Sequence, residues 1–209
     1  ILAALGIGAT VIFLLFWNRA RGSSAGREGQ GAASRGKDDE IDALVREAEK
    51  RLAASNLAKG ASLMNLPLVF VIGESGSTKT STILHSGLDP ELLSGSVYQD
   101  AAVVPTRLAN IWFARGVVFV EAGGKLLSDS ARWVRLLQRL RPGRLVSAVR
   151  GGQAPRAALM CLDAETFVRT GSVDALTAAF GNLQKRLAEI SQQFGIRYPV
   201  YALFTKMNR

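Results

Sequence analysis

The segment at residues 66–86 constrains the fold more than any other part of the sequence. An uninterrupted apolar run, LPLVFVI at 66–72, predicts a strand that is buried on both faces. GESGSTKTS follows at 73–81, and KTSTILHS opens a helix that Gly87 can end. A strand, a glycine-rich loop and a helix come in the order of a phosphate-binding loop, G-x-x-x-x-G-K-[ST]. The sequence therefore predicts an α/β fold of the P-loop NTPase type.

The loop itself supplies most of the groups that hold a nucleotide phosphate. Backbone N–H groups at a helix N-terminus attract phosphate, a lysine neutralises the terminal phosphates, and the following hydroxyl ligates magnesium. Lys79 and Thr80 have the last two roles. The predicted nucleotide-binding residues of the loop are Gly73, Glu74, Ser75, Gly76, Ser77, Thr78, Lys79, Thr80 and Ser81.

Thr78 stands where the loop pattern requires glycine. We expect a positive φ at this position, which costs a β-branched residue about 1–3 kcal/mol. The threonine side chain would also occupy space near the phosphates. The sequence therefore predicts weakened nucleotide binding or a reshaped loop, with ATP or GTP and Mg²⁺ bound weakly or not at all.

A second part of the nucleotide site is predicted at the end of VVFVEAGG, residues 117–124. Nucleotide hydrolases end this strand with an aspartate in D-x-x-G, which holds magnesium through water. Glu121 replaces that aspartate and stays a predicted metal ligand together with Thr80. Lys125 follows Gly124 where Ras-like GTPases carry a water-positioning glutamine, and a protonated lysine cannot act as a base. We therefore predict no catalytic residue in this chain.

A third part is predicted at TKMN, residues 205–208. The tetrapeptide is close to [NT]-K-x-D, in which a carboxylate accepts the N–H groups of guanine. Thr205, Lys206 and Asn208 are the predicted base-binding residues. Asn208 takes the place of the carboxylate and also presents donors, so the preference for guanine should fall; a plain turn after a strand is the alternative interpretation.

The rest of the chain alternates strand-like and helix-like segments. LANIWF and VVFVEAGG predict two strands joined by a tight turn at 114–116, and AALMCLD and YPVYALF predict two more. SDSARWVRLLQRLRPG and residues 173–194 predict helices. Such alternation indicates a mainly parallel sheet with flanking helices and the phosphate loop at the carboxyl end of the first strand.

The residues before the domain predict a membrane anchor and a tether. Residues 1–17 carry no charge, and basic residues follow Trp17, which is typical of a transmembrane helix with the next segment in the cytoplasm. The glycine- and serine-rich residues 18–37 predict a flexible basic linker. DDEIDALVREAEKRLAAS predicts an amphipathic helix over 38–60 that packs on the P-loop domain at 61–209. We expect the sequence to be a piece of a longer protein, with the anchor truncated at its start and the domain incomplete at its C-terminus.

The net charge of +9 is concentrated in two segments. Residues 18–37 carry net +4 and residues 131–156 carry net +7, so the remainder carries about −2. We predict that the arginines of the second segment lie on a solvated helix face and loop, available to lipid headgroups or a neighbouring subunit. These arginines are Arg132, Arg135, Arg139, Arg141, Arg144, Arg150 and Arg156.

The single cysteine and the single histidine exclude several classes of site. Cys161 lies in an apolar run and is predicted to be a buried hydrophobe, which excludes a disulfide within this chain and a thiolate metal cluster. His85 is predicted to be a helix-surface or packing residue. A histidine-dependent triad and a zinc site are therefore not supported.

Taken in series, these segments resemble the IcmF/TssM family. The resemblance rests on the apolar stretch, the basic linker, the degenerate loop and the strings IDALVREAEKRL, PTRLANIWF, VVFVEAGGK, ALMCLDAETF and YPVYALFTKMN, which together span nearly the whole chain. The family pattern has G-x-x-G-x-G-K-T, D-T-A-G-R and [TV]-K-x-D at the matching places. The departures here are Thr78, Glu121, Ala122 with Gly123, Lys125 and Asn208.

The resemblance implies a large inner-membrane subunit of a type VI secretion system. Such a subunit forms a membrane-spanning core with a lipoprotein and a smaller inner-membrane protein, oligomerises, and docks the cytoplasmic baseplate. It also implies that Thr106, preceded here by Pro105, is a metal ligand. Because hydrolysis varies within the family, the departures favour a structural subunit; an active membrane-tethered NTPase and a nucleic-acid-binding P-loop protein are the alternatives.

Overall fold

The computed structural model describes residues 28–55, 60–99, 102–103, 106–142, 153–168 and 173–207. The described strands are β1 (Leu68–Ile72), β2 (Glu91–Ser94), β3 (Tyr98–Gln99), β4 (Ala102–Val103), β5 (Ala109–Ala114), β6 (Val117–Ala122), β7 (Arg156–Asp163) and β8 (Val200–Thr205). The described helices are α1 (Glu28–Ala54), α2 (Lys79–Leu84), α3 (Gly124–Ser128), α4 (Ser130–Leu140), α5 (Ala164–Val168) and α6 (Val173–Phe194), with a 3-10 turn at Leu63–Asn65. The chain divides into residues 1–39 and 40–209, and the sheet lies in the second unit.

Six strands form one mixed sheet in the order β2-β5-β6-β1-β7-β8. β1 pairs in parallel with β6 and β7, and β7 pairs in parallel with β8. β5 pairs antiparallel with β2 and β6. The predicted α/β class and mostly parallel sheet are therefore confirmed, and β2 and the small β3–β4 hairpin are additions that the sequence pattern did not reveal.

The β5–β6 hairpin sets the register next to the phosphate loop. Arg115 and Gly116 both have positive φ, 47° and 81°, and form the tight turn predicted at this position. The turn pairs Ala114 with Val117 and, four residues up the hairpin, Asn110 with Glu121. These last two side chains therefore lie on the same face of the sheet.

Helices α1, α4 and α6 pack on the sheet through apolar residues that recur at helical spacing and so lie on one face of each helix. The predicted inner face of α4 is fully buried: Trp133, Leu136, Leu137 and Leu140. Phe70 of β1 contacts the ring of Trp133 edge-on, with the ring centroids 6.0 Å apart. The predicted amphipathic face of α1 is likewise buried at Ile41, Val45, Ala48 and Leu52.

Helix α1 begins earlier than the sequence predicts. It starts at Glu28, so residues 28–37 are helical although they were predicted to form part of the flexible linker. Extending an existing helix costs little because each added residue gains a hydrogen bond without a new nucleation step. The helix ends at Ala54, before the predicted residue 60.

The basic face of α4 is paired with acids of α1. Arg132 Nη2 lies 2.5 Å from Glu40 Oε2, and Arg135 contacts Asp42 through two nitrogens at 2.9 and 3.2 Å. Arg139 Nε lies 3.4 Å from the same carboxylate. The prediction that these arginines are available to other molecules is therefore wrong, because α1 places its acids directly opposite them, although Arg135 and Arg139 stay 40% and 39% exposed.

Arg156, predicted to lie on the same solvated surface, is buried instead. It is 4% exposed and donates to the backbone oxygens of Leu66 and Met64, at 2.8 and 3.0 Å. The prediction is therefore wrong for Arg156 as well.

The predicted transmembrane stretch at residues 1–17 lies outside the described residues. Within the part of the chain that the structure describes, no helix has the length and apolarity needed to cross a bilayer.

The ion pairs of Asp42 give a prediction for stability and its dependence on pH. The hydrogen bond from Arg135 lowers the pKa of Asp42. A lowered folded-state pKa means that Asp42 stabilises the fold above its unfolded pKa of about 3.9 and that this contribution is lost as pH falls through the folded value. We expect Asp42→Asn to reduce the free energy of unfolding by about 1 kcal/mol at pH 7.

The measurement is urea unfolding of both proteins at several pH values. The difference between wild type and Asp42→Asn should shrink as pH falls below about 4. Asp89→Asn is the control, because Asp89 is exposed and its positive φ is tolerated by asparagine. A difference that stays constant down to pH 2.5 would contradict the ion-pair assignment.

Candidate functional site

The glycine loop follows the carboxyl end of β1 and leads into α2, as the sequence predicts. The backbone approaches β7 closely at Gly73: a Cβ there would lie 2.4 Å from the Cys161 carbonyl oxygen and 2.6 Å from Ser77 Oγ. Glycine is required at this position because no side chain fits. The loop residues Glu74, Ser75 and Gly76 are exposed.

Thr78 adopts the left-handed conformation expected for it. Its φ and ψ are 56° and 27°, and it precedes α2 as N-cap without a side-chain capping bond. Its carbonyl oxygen accepts the Thr82 amide at 2.9 Å, so the first turn of α2 forms despite the strain. The positive φ predicted from the glycine pattern is therefore confirmed.

Lys79 turns back onto its own loop. Its Nζ donates to the backbone oxygens of Gly73 and Glu74, at 2.9 and 2.8 Å. Burial lowers the pKa of Lys79, and the charge of Glu121 opposes that shift. An ammonium group has three N–H donors, so one stays available to an anion. The ammonium group is thus held by backbone oxygens of its own loop and not by the carboxylate of Glu121 or Glu74.

A backbone hydrogen bond closes the loop, because the Ser77 amide donates to the Glu74 carbonyl oxygen at 3.2 Å. The Ser77 hydroxyl is buried and has no hydrogen-bond partner among the described residues. The loop is therefore closed by its backbone and not by its serine hydroxyls.

Glu121 is the most highly bonded side chain of the site and is only 1% exposed. Its Oε1 accepts the hydroxyls of Thr80 and Thr106, at 2.5 and 2.7 Å. Its Oε2 accepts Asn110 Nδ2 at 3.0 Å and Trp112 Nε1 at 3.2 Å. Four donors, from α2, from β5 and from Thr106 in the segment before β5, therefore meet on one carboxylate.

Asn110 and Trp112 are site residues that sequence reasoning missed. Both lie on β5, and their side chains project from the same face as Glu121 because they are two residues apart. The signal was present in the sequence: the two-residue turn at 115–116 fixes the pairing of Asn110 with Glu121.

The predicted metal ligands Thr80, Thr106 and Glu121 are brought together, but they fit a magnesium ion only in part. Each carboxylate oxygen has two lone-pair directions, and the four donors use all of them. Glu121 therefore has no acceptor left for a metal ion or for its water ligands. The two threonine hydroxyls give their protons to Glu121 and keep oxygen lone pairs.

The predicted base-binding segment packs against the phosphate loop. Thr205 is buried, and its Oγ1 lies within donating distance of two carbonyl oxygens, that of Leu162 at 3.2 Å and that of Ser77 at 3.4 Å, which share its single proton. Lys206 Nζ lies 2.6 Å from Asp163 Oδ2, at the end of β7. Asn208 lies outside the described residues, so its role stays a prediction.

A cavity of about 200 Å³ lies over the loop. It is smaller than the roughly 300–1,000 Å³ of typical small-molecule sites. The predicted residues that line it are Ser75, Gly76, Thr78, Lys79, Thr80, Ser81, Thr106 and Glu121, together with Gly123 and Gly124.

The two single residues take the structural places predicted for them. Cys161 is buried within β7, and burial raises the pKa of its thiol. His85 is exposed and caps the C-terminal end of α2. No cluster of three metal-ligating side chains occurs among the residues that the structure describes.

Comparison with known proteins gives one family and one curated relative. The IcmF-related N-terminal domain family matches residues 127–209. The type VI secretion system component TssM1 of Pseudomonas aeruginosa is 29% identical over 194 residues. That similarity covers 85% of this chain but only 17% of the relative.

Among solved structures, the chain is similar to an ADP-ribosylation factor-like GTP-binding protein, the small COPII coat GTPase SAR1 of Encephalitozoon cuniculi in complex with GDP. The identity is 10%, the similarity covers 89% of this chain and 85% of that one, and the TM-score is 0.25. A score this low supports no inference about this chain.

The strain at Thr78 predicts that glycine is the more stable residue there. Removing a β-branched residue from positive φ should gain about 1–3 kcal/mol, and the backbone freedom of glycine in the unfolded chain should cost about 0.5–1 kcal/mol. We expect Thr78→Gly to raise the free energy of unfolding by about 1 kcal/mol, measured by urea unfolding. Thr78→Ala, which keeps a Cβ, should give a smaller gain, and a destabilising Thr78→Gly would show that the threonine side chain holds the loop.

Proposed function

We propose that the chain belongs to the IcmF/TssM family and is part of the inner-membrane subunit of a type VI secretion system. The match of the IcmF-related N-terminal domain to residues 127–209 and the 29% identity to TssM1 support this proposal. In this proposal residues 61–209 form a P-loop NTPase-like domain with a structural role and without NTP hydrolysis. The chain spans about one sixth of the length of its curated relative. The domain is therefore one module of a larger assembly, joined to a transmembrane helix at residues 1–17.

The engagement of Glu121 is the observation that carries the structural role. Magnesium-dependent phosphoryl transfer needs a carboxylate that can turn toward the metal and its water ligands. Here four donors hold that carboxylate, and a buried carboxylate loses stability with each donor it gives up. Binding a metal at Glu121 would require at least one of these bonds to break.

Two further features support weak nucleotide binding and the absence of hydrolysis. Thr78 places a branched side chain on the wall of an already small cavity. Lys125 stands where a water-positioning group would be needed, and a protonated lysine cannot serve as a base. The domain is suited to contribute a fixed surface rather than a cycle of hydrolysis.

An active membrane-tethered ATPase or GTPase is the second candidate. One N–H of Lys79 is available to a phosphate, and the hydroxyl lone pairs of Thr80 and Thr106 are available to a metal. These features favour residual binding of nucleotide more than they favour turnover.

A nucleic-acid-binding role is the least supported candidate. It requires one exposed stripe of arginines with stacking aromatics. Arg132, Arg135 and Arg139 are instead paired with Glu40 and Asp42. Trp133 is fully buried, so it offers no stacking surface.

The proposed partners follow from the family. A lipoprotein and a smaller inner-membrane protein would complete the membrane complex, and cytoplasmic baseplate proteins would contact the domain. We propose that the assembly is oligomeric and that residues after 17 lie in the cytoplasm of the bacterial cell.

Calorimetric titration of the chain with ATP and with GTP, each with magnesium, tests the structural role. We expect no binding tighter than about 100 μM, which corresponds to roughly −5.5 kcal/mol. Thr78→Gly, alone or with Glu121→Asp and Asn208→Asp, should raise the affinity because backbone freedom and ligand placement are restored together. Wild-type protein that binds GTP tightly and hydrolyses it, with loss of hydrolysis in Lys79→Ala, would establish the active NTPase instead.

The proposed topology is tested separately by cysteine labelling in intact cells. Ser24→Cys places a thiol just after the predicted transmembrane stretch, and the native Cys161 is buried. We expect a membrane-impermeant maleimide to label this site only after the inner membrane is opened. Labelling of intact cells would contradict the proposed orientation, because it would place residue 24 outside the cytoplasm.

A further inference from the structure

The segment that contains Thr106 is attached at two points, once to the residue after β6 and once to the end of the phosphate loop. The Gly123 amide donates to the Leu108 carbonyl oxygen at 2.8 Å. The second attachment is made by side chains, because Thr106 and Thr80 both donate to Oε1 of Glu121. One oxygen atom thus joins the segment before β5 to the first turn of α2.

The length of the side chain at position 121 makes this second attachment possible. Glutamate is one methylene longer than the aspartate that the nucleotide-binding pattern has at this position. Its carboxylate can meet the β5 donors with one oxygen and the two threonine hydroxyls with the other. An aspartate on the same backbone would end about 1.5 Å short of this meeting point, one carbon–carbon bond.

We propose that Thr80, Glu121 and Thr106 form a permanent bridge that fixes the Thr106 segment on the phosphate loop without nucleotide or metal. Asn110 and Trp112 are positioning residues of this bridge. The surface around the loop then has one conformation whatever the nucleotide state of the cell. A domain that docks partners benefits from such a surface because no free energy is spent on ordering it at the moment of binding.

The positioning role of Asn110 follows from the direction of its amide. Its Oδ1 accepts the Ser96 backbone N–H at 3.0 Å, so its Nδ2 must point to the other side. There it donates to Glu121 Oε2 at 3.0 Å and reaches Thr106 Oγ1 at 3.2 Å. Asn110 therefore orients both members of the bridge with a single amide group.

Burial strengthens the bonds that Glu121 accepts from Thr80, Asn110 and Trp112, and the bond from Thr106 is partly buried. Glu121 and Asn110 are both 1% exposed and Trp112 is 2% exposed, so water competes little for these donors and acceptors. Hydrogen bonds to a charged acceptor are about twice as strong as those between neutral groups. The bridge does not depend on whether the domain hydrolyses a nucleotide, so it is tested in the absence of nucleotide.

Trypsin cleavage of the purified full chain in EDTA measures how firmly the Thr106 segment is held. Arg107 is exposed and follows Thr106, so its cleavage rate reports local opening of the segment. Arg115, exposed in the β5–β6 turn, serves as an internal reference. We expect Glu121→Asp to increase the ratio of cleavage after Arg107 to cleavage after Arg115 by about tenfold. Mass spectrometry of the fragments distinguishes the two sites.

A second pair of variants tests the hydrogen bond that Thr106 donates to Glu121. Thr106→Val deletes one donating hydroxyl with little change in volume and should raise the same ratio, whereas Thr106→Ser keeps a hydroxyl and should stay near wild type. Glu91→Asp is the matched control for shortening a glutamate, because Glu91 is exposed at the start of β2.

The rates of cleavage after Arg107 and after Arg115 can change in three ways. An increase in the ratio of the two rates in Glu121→Asp and Thr106→Val, with no increase in Thr106→Ser and Glu91→Asp, supports the bridge. Unchanged cleavage rates at both sites overturn the bridge, because other contacts then hold the segment. A parallel rise at Arg107 and Arg115 also overturns it, since that result would show a general loss of stability.

Discussion

A buried carboxylate is the constraint on which the architecture of the site depends. Removing a charge from water is costly unless hydrogen bonds replace the lost hydration. The fold satisfies Glu121 with donors from β5, from the segment before it and from α2. Residues far apart in the sequence are therefore required at fixed places, and the polar Asn110 stands within an otherwise apolar strand because Glu121 needs it.

Two departures from the nucleotide-binding pattern each keep one property of the residue that they replace. Thr78 keeps the left-handed backbone that glycine would have there, and Glu121 keeps a carboxylate with a longer reach. Lys206, which matches the pattern, pairs with Asp163. Thr78 and Glu121 thus keep the backbone conformation and the carboxyl group of the pattern, while Glu121 and Lys206 are engaged by other residues of the chain.

Much of the fold could be predicted from the sequence because its signals are local. The apolar run before the glycine loop, the helical spacing of Trp133 to Leu140 and the turn at 115–116 each depend on neighbouring residues. The partners of Arg132 and Arg135 could not be predicted, since they lie more than ninety positions away on α1 and meet only after α1 packs against α4. The start of α1 was missed because its glycines disfavour a helix that propagation from the next segment sustains.

The site shows the same division between local and long-range signals. The loop residues and Glu121 follow from the motif, but the direction of Lys79 and the donors around Glu121 do not. The hairpin register, in which the pairing of Ala114 with Val117 also pairs Asn110 with Glu121, accounts for the donors on Oε2. Thr80 and Thr106 reach Oε1 only after α2 and the segment before β5 pack against the hairpin, so the saturation of Glu121 could not be counted from the sequence. A motif with substitutions is thus better interpreted through the hydrogen-bond capacity of its neighbours than through the substitutions alone.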